Sequence, residues 1–303
     1  MLAGFRAFRL IALCNAISGC GAVLMVSASV WFGSVFGVLV SLLVAAACSV
    51  LTTLCSVLWC CRNHGVVLRF GRFWEVRNSA LKLATPAVLL NGVNSPTDYF
   101  AFALLAQQVG GVSETGTYYV LNQWCLLLRF APLAASAVIM PSLTASSGSE
   151  RVRLLSLYLR RGVLAALVVS FVAAVALAVA GPWLLASHGP NFTSRWPLLC
   201  CLLVSGVAIA VQIVAERVLL GLGYLWTAFG LSASRGIAFC LLAPLAIQGG
   251  ADGLALDRCL TFTAAAIVTV LACVAVGRAD TTNSLSAEPM IRVASPTPKR
   301  SAA

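Results

Sequence analysis

Eight stretches of this sequence are long and apolar enough to cross a lipid bilayer, and no other feature limits the possible folds so strongly. About 30 Å of hydrocarbon takes roughly 20 apolar residues in a helix. Runs of that kind lie near residues 9–30, 33–60, 81–106, 115–142, 158–185, 196–220, 224–247 and 254–277. Turn-forming residues separate several of them: Gly110-Gly111, Ser147-Gly148, Gly189-Pro190, Gly221 with Gly223, and Gly249-Gly250. The expected class is therefore an all-α integral membrane protein of about eight transmembrane helices. Composition agrees, because only 10% of residues are charged and 60% are hydrophobic, where a soluble domain has roughly a quarter charged. A soluble enzyme is excluded on that ground.

The distribution of cations tests the order of the spans, since cytoplasmic loops collect Lys and Arg. With the N-terminus inside, the cytoplasmic segments hold Arg6 and Arg9, then Arg62, Arg69, Arg72, Arg77 and Lys82. They continue with Arg151, Arg153, Arg160 and Arg161, and finish with Arg278, Arg292, Lys299 and Arg300. Only Arg195 falls in an outer loop, and both termini are expected in the cytoplasm. A cleaved leader, with Arg6 and Arg9 as its basic region, competes for the first stretch. That stretch is longer than a signal core of about 7–15 residues and another span follows at once, so a retained helix is expected.

The net charge of +11 follows from this topology, and no nucleic-acid partner is implied. Of the twelve cysteines, Cys14, Cys20, Cys48, Cys55, Cys125, Cys240 and Cys273 lie inside apolar stretches, where thiols act as small packing residues. Cys60-Cys61 and Cys200-Cys201 lack the spacing of a metal site. No metal or other cofactor is expected.

Ionisable groups inside the membrane cost at least a few kcal/mol and need explanation. Arg129 and Arg235 lie roughly 16–20 Å into the fourth and seventh stretches at about 1.5 Å per residue, close to the midplane. A guanidinium stays charged and cannot escape this cost by losing its proton. Arg217, Asp257 and Arg258 are closer to segment ends and are expected to be interfacial anchors. The third stretch carries Asn91, Asn94 and Asp98 at spacings that share one helix face. Tyr118, Asn122 and Arg129 do the same in the fourth, and Ser205, Gln212 and Glu216 in the sixth. Such stripes either join helix to helix or line a cavity. Two midplane arginines against the shallower Asp98 would make that cavity cationic and its ligand anionic.

No catalytic pattern competes. His64 and His188 are expected on opposite membrane faces, and GxSxG, HExxH, Walker and GxGxxG patterns are absent. Asn191-Phe192-Thr193 matches a glycosylation acceptor, a short pattern that arises easily by chance.

Five short motifs in order give the chain a family likeness. They are Asp98 near a helix end with Gly116-Thr117-Tyr118 opening the next; Met140-Pro141-Ser142-Leu143; Gly189-Pro190-Asn191-Phe192; Leu219-Leu220-Gly221-Leu222-Gly223; and Gly250-Ala251-Asp252-Gly253-Leu254-Ala255. Over about residues 80–277 this order resembles the polysaccharide (O-antigen type) flippases of the multidrug/oligosaccharidyl-lipid/polysaccharide exporter superfamily. The resemblance covers the last eight helices of that two-lobed fold. It implies two transmembrane helices ending the first lobe (1–61), a basic cytoplasmic linker (62–80) and a six-helix second lobe (81–277), while the Ser, Thr, Pro and Ala richness of residues 281–303 reads as a disordered cytoplasmic tail (278–303). The family's opening helices have no counterpart in this sequence.

What the resemblance implies for function is translocation of an undecaprenyl-pyrophosphate-linked oligosaccharide across the bacterial inner membrane in polysaccharide biosynthesis. Arg129, Arg235, Asn91, Asn94 and Asn122 would then contact the substrate, and Asp98 and Glu216 would serve ion coupling or internal pairing. The implied partners are the lipid-linked anionic oligosaccharide, membrane lipids, and a protein supplying the missing N-terminal helices or other glycan-assembly proteins. A lipid II flippase shares this architecture and anionic cargo. A cation-drug antiporter of the same superfamily should instead place carboxylates at the midplane. A non-transporting membrane scaffold in glycan assembly is the reading from another class.

Overall fold

The computed structural model describes residues 8–31, 35–63, 73–146 and 148–293. Among them the chain is all-helical, with no strand. It divides by its contacts into two compact units, Met1–Asn78 and Ser79–Ala303. Among the described residues, four helical stretches are long and apolar enough to cross a membrane: Phe36–Asn63, Arg153–Ser187, Trp196–Leu222 and Leu225–Arg278. The chain is thus built as an all-α membrane protein is. The last stretch, at about 1.5 Å per residue, would be roughly 80 Å long if straight, far more than one bilayer. It is instead a hairpin that turns at Gly250, whose φ of 65° favours glycine.

The first unit contains α1 (Phe8–Trp31) and α2 (Val35–Asn63), which pack against each other. Small polar groups join them. The Ser18 and Thr52 hydroxyls are 3.3 Å apart, and the Ser29 and Ser41 hydroxyls are hydrogen-bonded. The Met25 carbonyl lies within reach of the Ser29 hydroxyl and the Gly37 carbonyl within reach of the Ser41 hydroxyl, so one serine donates to its own helix while the other donates across the pair. The other faces are apolar and exposed, with Leu24, Leu43, Phe36 and Trp31 all pointing outward. That is the surface a helix hairpin presents to lipid. Residues 64–72, about half of the expected basic linker, lie outside the described residues.

The second unit is built around one helix. It contains the rest of α3 (Phe73–Ala106), then α4 (Gly111–Ala145), α5 (Gly148–Leu157), a π turn at Tyr158–Gly162, α6 (Val163–Ser187) and the single turn α7 (Pro190–Thr193). It ends with α8 (Trp196–Leu222), α9 (Leu225–Ala246), a 3-10 turn and α10 (Gly250–Val293). α8 packs against α4, α6 and α10, and eighteen of its 27 residues are buried, which makes it the axis of the unit. Its small residues allow that packing. A Cβ added at Gly206 would sit 2.8 Å from Leu128 Cδ1 and 3.5 Å from Cys125 on α4, the close approach that small residues permit between membrane helices. Ser170 Oγ donates to the Leu128 carbonyl, joining α6 to α4, and the Cys273 thiol donates to the Ala215 carbonyl, joining α10 to α8.

The helix boundaries differ from expectation at two places. α3 starts at Phe73, inside the segment expected to be a linker, and α10 runs on to Val293, past the expected tail boundary at 277. Once a helix is nucleated each added residue contributes a hydrogen bond, so polar flanks extend helices that hydropathy alone would stop. Residues 294–303 lie outside the described residues.

Candidate functional site

Mid-length polar side chains from five helices converge beside α8. A cavity of about 200 Å³ is lined by Asp98 of α3, Arg129 of α4, Gln212, Glu216 and Arg217 of α8, Arg235 of α9 and Arg258 of α10. Gln212 and Glu216 are one turn apart and so face it together, as Arg258 and Phe262 do on α10.

Two polar chains run through the site. In the first, Arg258 is 1% exposed and its Nη1 lies 3.3 Å from Asp98 Oδ1. The same nitrogen donates to the Tyr118 hydroxyl at 3.3 Å. In the second, Arg235 Nη1 donates to Gln212 Oε1 at 2.6 Å, and Gln212 Nε2 donates to Glu216 Oε1 at 2.8 Å. The amide therefore relays between guanidinium and carboxylate. Arg235 Nη2 also reaches the Ser232 hydroxyl at 3.2 Å. The Phe262 ring links the chains, with the Arg235 and Arg258 guanidinium carbons 4.7 and 5.1 Å from its centroid. Such cation–π contacts gain strength when water is excluded.

Arg129 stands apart from both chains. Among the described residues it has no carboxylate at ion-pair distance, and its Nε is buried without a hydrogen-bond partner. Arg258 Nε is likewise buried without a partner among the described residues, as is the acceptor Asn122 Oδ1 of α4, which lies outside the cavity lining. The cavity walls carry four guanidiniums against two carboxylates. With all of them ionised the charge is net positive, and buried donors without partners are the groups an anion or water would satisfy.

Of the residues singled out in the sequence, the cavity brings together Arg129, Arg235, Asp98, Glu216 and Gln212, with Arg217 and Arg258. Asn122 is buried on α4 but is not part of the lining. Asn91 and Asn94 belong to α3, and their side chains lie outside the described ones. His64 also lies outside the described residues, and His188 sits at the end of α6 against Trp124 and Phe192.

The expectation of interfacial anchors is corrected for Arg258, which is buried and holds the Asp98 carboxylate. Arg258 lies two turns beyond the hairpin turn at Gly250, on the face of α10 that lines the cavity. Arg217 borders the same cavity with a half-buried side chain. Asp257 is buried too, with Oδ1 accepting from Thr261 at 3.0 Å and Oδ2 unpaired among the described residues. Tyr118 lies on the polar face expected for the fourth stretch, whereas Phe262 is not marked out by the sequence reading, nor is the pairing of Arg258 with Asp98 and Tyr118. The Arg258 and Phe262 spacing of four was the available signal, since it stacks a cation on an aromatic ring one turn along.

A second charged cluster lies at the starting ends of three helices. Arg195, just before α8, pairs with Glu114 in the first turn of α4 and, at 2.8 Å, with Asp252 in the first turn of α10. The second Glu114 oxygen accepts the Ala251 N–H at 3.2 Å. These bonds fasten α4, α8 and α10 together at one end of the unit.

No protein-family model, curated protein or solved structure matches this chain.

Proposed function

We propose that this protein is a multi-pass transporter that moves an anionic, lipid-linked oligosaccharide across the bacterial inner membrane, as the polysaccharide flippases it resembles do. In this reading all eight long helices span the bilayer, α1 and α2 close a first lobe, the second unit forms the other lobe, and both termini are cytoplasmic. The alternation of Lys and Arg between loops supports that topology. The observation that carries the function is the cavity with four guanidiniums against two carboxylates.

At about 200 Å³ the cavity is smaller than the roughly 300–1,000 Å³ of sites for drug-sized ligands. It suits a diphosphate headgroup and leaves the sugars outside. Arg129 and Arg235 would bind the diphosphate oxygens. Asp98 and Glu216 are tied to Arg258 and, through Gln212, to Arg235. An arriving anion that competes for those guanidiniums would free the carboxylates for a proton or cation, which is how binding would couple to an ion gradient. The glycan-assembly scaffold is the second reading. The paired Arg235 and Arg258 favour it, since they join helices without any ligand, whereas the buried Arg129 Nε does not serve that purpose.

The test is calorimetric binding of inorganic diphosphate to the purified protein in amphipol. Wild type should bind, and Arg129→Glu should weaken binding by at least about tenfold, as like charges in one site repel. Unchanged affinity in Arg129→Glu would remove the anion-binding role, and the scaffold reading would replace it.

A further inference from the structure

The outward face of one long helix changes character at a single point. Arg153–Ser187 is one continuous helical stretch. Arg153, Arg160 and Arg161 are exposed near its start, and from Leu164 to Val179 no exposed side chain is polar. Further along, Trp183 is 73% exposed. Leu164 to Trp183 covers roughly 30 Å at about 1.5 Å per residue, the thickness of a hydrocarbon layer, and an exposed tryptophan suits its far boundary. Arg160 and Arg161 therefore stand at the near boundary, at the depth of lipid phosphates.

Local structure sets these two arginines together. Both belong to the π turn Tyr158–Gly162, and a π turn adds one residue to the helical ladder. Leu159 packs against the buried cluster that includes Leu155, Val214 and Val218. A Cβ added at Gly162 would lie 3.6 Å from Val214 Cγ1. The turn thus faces inward on both sides of the arginine pair, which is left outside. Arg153, Arg160 and Arg161 have no carboxylate at ion-pair distance among the described residues. A third cation is level with the pair. A Cβ added at Gly277 of α10 would lie 3.3 Å from Leu159 Cδ1, which brings the exposed Arg278 to the same depth.

We infer that this π turn is a headgroup site for an anionic phospholipid, whose phosphate pairs with Arg160 and Arg161 and whose acyl chain lies along the apolar face of α6 that begins at Leu164. The site is separate from the polar cavity, since neither arginine lines it, and it does not depend on what that cavity carries. Adjacent guanidiniums repel the ammonium of a zwitterionic headgroup and attract a headgroup of net negative charge. A soluble phosphate meets only the ionic half of this site. A lipid meets both halves, because charge gives way to hydrocarbon within one turn, between Arg161 and Leu164.

The experiment counts lipids bound to the full chain in neutral detergent by native mass spectrometry, with dioleoylphosphatidylglycerol or dioleoylphosphatidylcholine as the probe. A basic side chain at a membrane surface contributes a factor of about five in affinity for anionic lipid. Wild type should therefore bind its first phosphatidylglycerol at least about fivefold more tightly than phosphatidylcholine, and excess inorganic phosphate should not displace it. Arg160→Gln combined with Arg161→Gln should bring the two lipids to about equal affinity, and each single substitution should give part of that loss. Unchanged phosphatidylcholine binding reports that the variants are folded. Arg153→Gln should keep the preference, because Arg153 lies two turns, about 10 Å, outside the boundary, beyond a Debye length of about 8 Å at physiological salt. The inference is overturned by a wild type without preference, or by a preference that survives loss of both arginines. An equal fall in Arg153→Gln would mean diffuse charge in place of a site, and displacement by inorganic phosphate would mean a soluble anion in place of a lipid; either also overturns it.

Discussion

Removing the Asp98 carboxylate leaves Arg258 charged in a place where it cannot reach water. Arg258 is 1% exposed, and Asp98 is the carboxylate at ion-pair distance from it, at 3.3 Å. Breaking a buried pair by deleting one partner costs about 3–5 kcal/mol, because the survivor is uncompensated. The lower end applies here. The Asp98 side chain is 29% exposed, and Arg258 keeps the Tyr118 hydroxyl and the Phe262 face. A loss of about 3 kcal/mol corresponds to a fall of roughly 6–12 °C in Tm, scaling from a domain somewhat smaller than this chain. Asp98→Ala should show that fall by thermal scanning in detergent. Adding Arg258→Met should recover most of it, since replacing both members of a buried pair by apolar groups is often close to neutral. The double-mutant cycle isolates the pair. If the two single losses simply add, with no coupling, the two groups do not compensate each other and the proposed electrostatics of the cavity are wrong.

Other consequences are smaller or more local. Arg195→Ala removes both bonds of the clamp joining α4, α8 and α10, but its side chain is 28% exposed and its partners 27% and 54%. The expected loss is about 1 kcal/mol, read as a Tm decrease that shrinks when the scan is repeated in high salt. Gly206→Leu should destabilise by about 1–3 kcal/mol through overpacking against Leu128 and Cys125, measured as lower Tm and reduced yield of monodisperse protein. Cys20, Cys48 and Cys55 are exposed on the apolar first unit. In proteoliposomes they should resist a charged maleimide that labels them readily in denaturant, because reaction needs the thiolate and lipid excludes it. Rapid labelling in intact liposomes would show that these faces meet water.

Helical class was legible because hydrophobic length is a local property that needs no knowledge of neighbours, and among the described residues four helical stretches are long and apolar enough to cross a membrane. Azimuth is different. Arg258 was placed at an interface from its distance to a segment end, yet the helix turns it inward onto Asp98, which is 160 residues away in sequence. Nothing local to residue 258 specifies that pairing. Arg129 and Arg235 were legible because depth alone set them apart, and Gln212 with Glu216 because a spacing of four marks one face. The relay of Arg235 through Gln212 to Glu216, and the shared Phe262 ring, depend on how α8, α9 and α10 are rotated against each other. The ends of α3 and α10 were missed because helices continue into polar sequence, where hydropathy gives no signal.

The central claim, that the cavity carries a diphosphate headgroup across the membrane, is met most directly by a translocation assay. Purified protein would be reconstituted in proteoliposomes with a fluorescent undecaprenyl-diphosphate sugar, and the appearance of label in the opposite leaflet followed by membrane-impermeant quenching. The account predicts protein-dependent translocation in wild type and its loss in Arg129→Glu and Arg235→Gln. Translocation at the rate of empty liposomes in wild type, or equal rates in wild type and both variants, would contradict it.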